Sequence, residues 1–346
     1  MKRSFHLFTA LAVLGGASTL FLNDRAAHSQ ARPQVVASYS VLCDLTEQIA
    51  QDTLDVTCLI EAGEDPHIYN ATPADRRAIE SADLVLYGGY GFEPDIIQMV
   101  ESTDGDTPQI AVSEVAVSEP LLGAAHDHGS HDEHDEHAHD EHGHDEHGHD
   151  KHSEEGSEPD PHVWHDAENG IAMVRVIQTQ LSEVFPDNAD LYQANAQSLI
   201  DRLTQLDTWI EQQVETVPES QRVLVSTHDA LGYYAEAYGI RIEAALESFS
   251  TEARPSAADL RELIDVVEGS NIPAIFIEST SNPGLIEAVS RETDIGISEE
   301  PLYADSLGEA GTPASTYTGM LMTNTCTIVS GLGGRCNEAA AQAFLE

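Results

Sequence analysis

The chain has 346 residues, 41% of them hydrophobic, which is enough for ordinary buried cores in two domains of about 100 to 200 residues each. Its formal net charge of −46 argues against nucleic acid as a partner, because affinity for phosphate depends on Lys and Arg. An acidic surface favours cations and solubility, and adaptation to a salty medium is an alternative origin of the excess charge.

The N-terminal residues have the composition of an export signal. Lys2 and Arg3 supply a charged start, the run 7–22 is mostly apolar and small, and the run 26–31 offers small residues for cleavage. The apolar run is short for a membrane span, and no cysteine follows it closely, which argues against a lipid-anchored N-terminus. We therefore predict a signal peptide over residues 1–31 and a mature protein that is soluble in the periplasm or another extracytoplasmic compartment.

Strands and helices alternate through the rest of the chain. Short β-rich apolar runs predict strands at 34–38, 54–60, 83–87, 109–112, 222–226, 240–245, 274–277 and 295–297. Apolar residues at helical spacing predict helices at 41–50, 73–81, 171–184, 189–214, 229–238, 256–268, 284–291 and 316–332. This alternation is typical of parallel sheets, in which ligands collect at the carboxyl ends of the strands.

The helix at 189–214 divides this alternation into two halves. At a rise of 1.5 Å per residue it would be about 39 Å long, which suits a strut between two domains, although packing within one domain is the alternative. We predict an α/β fold with an N-terminal lobe at 32–186, a linking helix at 187–217 and a C-terminal lobe at 218–346. Each lobe is expected to contain a parallel sheet.

A run between the first lobe's strands and the long helix alternates histidine with carboxylates. The unit Asp-Glu-His-Ala/Gly-His occurs three times from Asp135 to His149. A period of five matches neither a helix nor a strand, and the run has almost no apolar residues, so we predict a disordered acidic loop over 126–158. Such a loop can bind several zinc ions weakly, and the alternative is an insert with little effect on function. Its histidines are His126, His128, His131, His134, His137, His139, His142, His144, His147, His149 and His152.

Four cysteines in a chain that is predicted to be exported indicate disulfides. They allow three pairings, of which the local one, Cys43 with Cys58 and Cys326 with Cys336, is favoured. A zinc site made of cysteines is the alternative, but no pair has the spacing Cys-x-x-Cys.

Outside the leader and the acidic run there are only four histidines, His67, His162, His165 and His228. His67 and His162 both follow an Asp-Pro step, in which the proline restricts the backbone before the ring. His228 lies in Ser226-Thr227-His228-Asp229, after a predicted strand. A neutral imidazole is a ligand suited to zinc, so these positions predict a metal site, although a single loop histidine is more often a solvated side chain.

Four segments resemble the signatures of a known family. EDPHIYNATPAD (64–75), PDPHVWHD (159–166), STHDALGYYAEAYG (226–239) and LYADSLGEAG (302–311) resemble the metal-binding, cluster A-I substrate-binding proteins of ABC transporters. The resemblance is greatest to the zinc-uptake, ZnuA-type periplasmic binding proteins, several of which carry a loop rich in His, Asp and Glu in this place. It implies two (β/α) lobes with parallel sheets, a long linking helix and one metal in the cleft between the lobes.

Carried over by motif, the resemblance implies four metal ligands. His67 and His162 would come from the first lobe, and His228 and Asp305 from the second. Manganese-type relatives tend to have glutamate at the position of His228, and three nitrogens with one carboxylate suit zinc better than manganese. Relatives with three histidines and one aspartate also handle manganese, so the ligand set leaves both ions open.

Two further residues are expected near this site without being ligands. Glu278 follows a predicted strand and is expected to orient a ligand imidazole through a hydrogen bond. His165 stands where many relatives have leucine, and it is expected to lie behind the ligands or on the surface.

These features predict a binding protein rather than an enzyme. It would capture Zn²⁺ as a transported ligand, with Mn²⁺ as the alternative, and deliver it as a monomer to a membrane ABC permease with its cytoplasmic ATPase. A metal buffer acting mainly through the His-rich loop is a second alternative. A zinc hydrolase is a third, but the sequence has no HExxH or comparable catalytic motif.

Overall fold

The computed structural model describes residues 32–124, 157–247, 249–252, 256–269 and 272–341. The predicted signal peptide at 1–31 and the part of the predicted His-rich loop at 126–156 lie outside these residues. Within the described ranges, no helix is both long and apolar enough to cross a membrane.

The first half of the chain is built on four parallel strands. They are β1 (Gln34–Tyr39), β2 (Asp55–Ile60), β3 (Leu84–Tyr87) and β4 (Gln109–Ala111), in the order β2-β1-β3-β4. The strands alternate with the helices α1 (Ser40–Ala50), α2 (Pro73–Ser81), α3 (Pro94–Glu101) and α4 (Val112–Ala116). The sequence predictions include the four strands, α1 and α2, but neither of the short helices α3 and α4.

A short antiparallel pair of strands, β5 (Leu122–Ala124) and β6 (Ser157–Pro159), flanks the His-rich segment. Ala124 pairs with Ser157, so the two residues that flank the segment 125–156 lie next to each other. The prediction of disorder is therefore wrong for Ser157 and Glu158, whose backbone groups pair with β5. Their polar sequence gives no strand signal, because this strand depends on its partner rather than on burial.

Two helices connect the halves of the chain. α5 (Ala167–Val184) begins before its predicted start at 171, because the carboxylate of Asp166 accepts the N–H of Glu168 at 2.8 Å and caps the helix. α6 (Ala189–Val214) has the bounds that the apolar spacing predicts.

The second half repeats the strand order of the first. Its elements are β7 (Val223–His228), α7 (Gly232–Tyr238), β8 (Arg241–Glu247), α8 (Ala257–Gly269), β9 (Ala274–Ile275), α9 (Pro283–Thr293), β10 (Gly296–Ile297), α10 (Tyr317–Gly331) and α11 (Glu338–Ala341). β7 pairs in parallel with β8, and β9 with β10. The N–H of Phe276 donates to the carbonyl of Val225 at 3.0 Å and joins the two pairs, which gives the order β8-β7-β9-β10.

The long helix α6 is hydrogen-bonded to both halves. Asn195 donates to the carbonyl of Ile49, in α1, at 2.9 Å. Farther along α6, Asp207 accepts the hydroxyl of Tyr238, in α7, at 2.9 Å. The predicted fold class, two α/β lobes with parallel sheets and a long linking helix, is confirmed, whereas the exact lobe boundaries stay a prediction.

The buried apolar side chains form two clusters. The larger one runs through the first half, α6, α7 and α10. The smaller one lies wholly in the second half, around Val225, Leu263 and Ile286. The second half therefore has a core of its own, in addition to the core that it shares with α6.

Both disulfides are local. Cys43–Cys58 joins α1 to β2, and Cys326–Cys336 joins α10 to the segment that follows it. This confirms the favoured pairing, and it leaves no cysteine free for a metal site.

Because α6 packs into the shared core, we expect the protein to lose stability when a side chain on the buried face of α6 is shortened. Leu203 is fully buried, so Leu203→Ala should lower the free energy of unfolding by about 2 to 5 kcal/mol. Leu191→Ala is the control on the same helix, because Leu191 is 36% exposed, and it should change the value by about 0.5 kcal/mol or less. Urea unfolding measures both, and equal losses would contradict the role of the buried face.

Candidate metal centre

Four buried side chains from distant parts of the chain, His67, His162, His228 and Asp305, bring one ligand atom each to a common point. These atoms all lie within 4.8 Å of one another. Asp305 Oδ1 is 3.5 Å from Nε2 of His67 and 3.3 Å from Nε2 of His162. It is 3.1 Å from Nε2 of His228, and the Nε2 atoms of His67 and His162 are 3.3 Å apart. The structure thus brings together the four residues that the motifs single out.

Strand ends and tight turns position these side chains. His67 lies in a 3₁₀ turn, Pro66–Ile68, in the loop after β2, and His228 is the last residue of β7. Both are at the carboxyl ends of parallel strands, where open α/β sheets place their ligands. His162 precedes a short 3₁₀ turn before α5, and Asp305 lies between β10 and α10.

The two Asp-Pro-His motifs fold in the same way. Asp65 Oδ1 accepts the backbone N–H of His67 at 3.0 Å, and Asp160 Oδ1 accepts that of His162 at 2.9 Å. Each aspartate closes a turn across the proline onto the amide two residues later, as in an Asx turn. Because the proline also fixes its own φ, the turn restricts the direction in which the histidine ring points.

Carboxylates behind the rings select the nitrogen that faces the common point. Nδ1 of His162 donates to Asp160 Oδ1 at 2.8 Å, and Nδ1 of His228 donates to Glu278 Oε2. Glu278 Oε1 also accepts the backbone N–H of His228 at 3.2 Å. With Nδ1 protonated, Nε2 keeps its lone pair for a cation, which is the usual function of such carboxylates around metal sites. Glu278 thus lies where the sequence analysis expects an orienting carboxylate.

Asp305 is held on its second oxygen and through its neighbour in the chain. The hydroxyl of Thr280 donates to Asp305 Oδ2 at 2.6 Å. The carbonyl of Ala304 accepts Nε1–H of Trp164 at 3.2 Å and Nε2–H of His165 at 2.8 Å. The carboxylate is therefore fixed from both lobes.

His165 is fully buried, so the surface alternative for this residue is wrong. Its ring packs beside that of Trp164, and its Nδ1 has no hydrogen-bond partner among the described residues. Burial, reinforced by nearby His162, lowers the pKa of His165 to about 3, which leaves the ring uncharged at neutral pH. It does not belong to the group of four and supports the segment of Asp305 instead.

Burial and mutual contact shift the pKa values of the four side chains. Burial opposes charge on Asp305, but its contacts with His228 and the two other imidazoles outweigh this and hold its pKa well below the usual range. Burial also opposes charge on His228, yet Asp305 and Glu278 raise its pKa well above the usual value. Hydrogen bonds to carboxylates raise the pKa of His162 in the same way, whereas burial dominates for His67 and lowers its pKa. The centre is thus organised around a charged carboxylate that attracts positive charge.

Phe92 packs against the site, and the next residue is a buried carboxylate. The ring centroids of Phe92 and His67 are 4.9 Å apart. Glu93 is fully buried, and its Oε1 accepts the hydroxyl of Ser38 at 2.7 Å and the N–H of Gly88 at 2.6 Å. Burial raises the pKa of Glu93 to about 7.

Sequence reasoning missed two contributors to this site, Asp160 and Thr280, and one buried carboxylate next to it, Glu93. Asp160 carried a usable signal, because it occupies the same place in its motif as Asp65. Thr280 carried none, since its contact with Asp305 depends on how the second half folds. Glu93 has no signal in the sequence either, because its burial depends on the fold.

Comparisons with known proteins add to this geometry. Residues 35–331 match the family described as Zinc-uptake complex component A periplasmic. The chain is 33% identical to the manganese-binding lipoprotein MntA of Halalkalibacterium halodurans, over 86% of this chain and 88% of that protein. It is 31% identical to the zinc-binding protein TroA of Treponema pallidum, over 93% of this chain and 96% of that protein. A solved structure of periplasmic zinc-binding TroA from Treponema pallidum aligns with a TM-score of 0.75 at 30% identity, covering 88% of this chain and 100% of that one.

The raised pKa of Glu93 predicts a pH-dependent stability difference. Between about pH 4.5 and pH 7 the folded chain keeps a proton on Glu93 that the unfolded chain releases, so this residue contributes less to stability as the pH rises. Glu93→Gln, which keeps an acceptor for Ser38 and Gly88, should therefore gain stability relative to the wild type between pH 5 and pH 8, by up to roughly 3 kcal/mol. Urea unfolding at several pH values measures the gain.

Glu119→Gln is the control for this measurement, because Glu119 is an exposed carboxylate of the same half. The quantity compared is the difference in the free energy of unfolding between variant and wild type, followed as a function of pH. If this difference changed with pH equally for Glu93→Gln and Glu119→Gln, the assigned pKa would be wrong.

Proposed function

The chain belongs to the Zinc-uptake complex component A periplasmic family, and on that premise we propose that it captures Zn²⁺ outside the cytoplasm and delivers it to a membrane permease. Members of this family are metal-binding components of ABC transporters, not enzymes, and they work with permease and ATPase partners. The observation that carries the proposal is the buried group of His67, His162, His228 and Asp305, which we propose as the four ligands.

The spacing of the ligand atoms supports zinc. In a regular tetrahedron of zinc bonds of about 2.0 to 2.1 Å, neighbouring ligand atoms are about 3.3 Å apart. Four of the six separations, between Asp305 Oδ1 and the three Nε2 atoms and between the Nε2 atoms of His67 and His162, are 3.1 to 3.5 Å. The other two, from His228 to His67 and to His162, lie within 4.8 Å. Three nitrogens and one oxygen are also the kind of set that zinc accepts more readily than manganese.

Manganese is the second candidate ion, and a specific observation favours it. MntA of Halalkalibacterium halodurans is named as manganese-binding and TroA of Treponema pallidum as zinc-binding, and the chain is nearly equally identical to both. The fold and the transport function would be the same for either ion.

Capture and release then follow from the arrangement of the ligands about α6. His67 and His162 precede this helix in the chain, whereas His228 and Asp305 follow it. No covalent bond is made or broken, so retention of the ion depends on the two halves keeping their relative positions. Docking on the permease would change those positions, and α6, which is bound to both halves, would limit how far they separate.

The ends of the His-rich run support an auxiliary function in metal supply. The hydroxyl of Tyr233, in α7, donates to the carbonyl of Asp160 at 3.2 Å and accepts the N–H of Leu121 at 3.0 Å. This fixes β5 and β6 beside the segment of His162. We propose that the run binds zinc weakly and raises its concentration near the site.

A metal titration tests the main proposal. Residues 127–151 can be removed, because Ala124 and Ser157 pair and a short loop can join them. The variant that lacks them should bind one tight equivalent of Zn²⁺ in preference to Mn²⁺ if the four-residue site holds the ion. His228→Ala should lose this equivalent, whereas His165→Gln should keep it, since His165 donates only to a backbone carbonyl.

Two results would contradict this expectation in different ways. A preference for Mn²⁺ would retain the transport function and replace the substrate. No tight equivalent at all would remove the four-residue site from the proposal and favour a metal buffer based on the His-rich run.

Glu278→Gln tests the orientation of His228. Both oxygens of Glu278 accept donors, so the NH2 group of glutamine must face either Nδ1–H of His228 or the backbone N–H groups of Thr227 and His228. Either orientation removes an acceptor that holds His228, so we expect the affinity for Zn²⁺ to fall by about 10- to 100-fold without a change in stoichiometry. Isothermal titration against a competing chelator measures the change. Glu299→Gln, at an exposed carboxylate of the same half, is the control, and an equal effect of the two substitutions would argue against an orienting function.

A further inference from the structure

We propose that Thr280 determines the metal preference of the site by holding Asp305 as a ligand through one oxygen only. This inference rests on the proposed function, because it concerns the ion that the four-residue site accepts. Thr280 follows β9 in the second half and is not itself a ligand. It is a positioning residue that acts through Asp305.

The two oxygens of Asp305 have different surroundings. Oδ1 faces the Nε2 atoms of the three histidines at 3.1 to 3.5 Å. Oδ2 accepts the hydroxyl of Thr280 at 2.6 Å, a short hydrogen bond to a charged acceptor and therefore one of the stronger kinds. For both oxygens to bind one ion, Oδ2 would have to turn toward the histidines and give up this bond.

The backbone around Asp305 cannot easily shift to avoid that cost. Ala304 accepts two hydrogen bonds, from Trp164 and His165. The residue before it, Tyr303, is held by the side chain of Asn324. Asn324 accepts the N–H of Tyr303 at 2.8 Å and donates to its carbonyl at 2.8 Å. The direction of the carboxylate is thus set by Thr280 on a backbone that is already fixed.

Three further carboxylates near the site, Asp65, Asp160 and Glu278, are turned toward hydrogen-bond donors. Asp65 accepts the N–H of His67 and the hydroxyl of Thr251, and Glu278 accepts donors on both of its oxygens. Asp160 accepts the N–H and Nδ1–H of His162. None of these three belongs to the group whose ligand atoms lie within 4.8 Å of one another. Rotation of Asp305 is therefore the direct way for this group to offer a second oxygen.

If Asp305 offers only one carboxylate oxygen to the ion, the site suits the two candidate ions unequally. Zinc is satisfied by four ligands in a tetrahedron, so three imidazoles and one oxygen complete its shell. Manganese favours more oxygen ligands and an octahedral arrangement, so it gains more from a carboxylate that binds through both oxygens. The hydroxyl of Thr280 therefore favours zinc by withholding Oδ2.

Thr280→Val in the full chain tests this assignment, because valine keeps the shape and removes the hydroxyl. We expect the ratio of Zn²⁺ affinity to Mn²⁺ affinity to fall by about tenfold or more, measured by competition between the two ions. Co²⁺ at less than one equivalent is the spectroscopic probe. Its strong visible absorption in a four-coordinate site should weaken in Thr280→Val as the coordination number rises.

Two matched variants separate positioning from general damage. Thr280→Ser keeps the hydroxyl and should behave like the wild type. Ser281→Ala removes the neighbouring hydroxyl, which donates to Glu278 at 3.0 Å, and should weaken both ions alike without changing the Co²⁺ spectrum.

The outcomes distinguish this inference from the proposed function. If the wild type prefers Zn²⁺ and Thr280→Val changes neither the ratio nor the spectrum, the assignment of Thr280 is wrong and the proposed function stands. The assignment is equally wrong if Thr280→Val weakens the binding of both ions by the same factor. If the wild type itself prefers Mn²⁺, the proposed substrate is wrong, and the inference is overturned with it.

Discussion

The burial of one carboxylate, Asp305, is the constraint on which the site depends. A charged carboxylate away from water is costly unless positive charge or hydrogen-bond donors surround it. Here three imidazoles face Oδ1 and the hydroxyl of Thr280 binds Oδ2. The centre therefore stabilises positive charge, either as protons on the histidines or as a cation. Because both occupy the same nitrogen lone pairs, a bound metal must displace protons.

The segment that carries Asp305 is hydrogen-bonded to both halves of the chain. Just before it, the N–H of Leu302 donates to the carbonyl of Ile277, next to β9 in the second half, at 2.8 Å. Just after it, the hydroxyl of Ser306 accepts the N–H of Gly63, in the first half, at 2.8 Å. A change in the relative position of the halves must therefore act on Asp305. The charged carboxylate of the proposed ligand set is therefore directly coupled to movement of the lobes.

Local signals in the sequence predicted a large part of this structure, and long-range contacts account for the rest. The bounds of α6 follow from apolar spacing, and the Asp-Pro-His motifs indicate fixed histidines, because an aspartate and a proline act within two residues of the ring. In contrast, β6 forms only because β5 pairs with it. Thr280 is visible as a contributor only once the fold places it beside Asp305. Such contacts join residues that are far apart in the chain, so no short pattern encodes them.

The part of the second half between β8 and β10 touches the site through supporting side chains, and none of the group of four lies in its described residues. Thr251 donates to Asp65 at 2.6 Å, Thr280 to Asp305 at 2.6 Å, and Glu278 accepts Nδ1–H of His228. Most of the apolar core of this part is the smaller, separate cluster. The supports from Thr280 and Glu278 therefore stand mainly on this core, whereas His67 and His162 stand on the larger one. Movement of one core relative to the other would therefore change the distances between the proposed ligands without unfolding either core. Such a movement is a physical basis for the proposed capture and release of an ion.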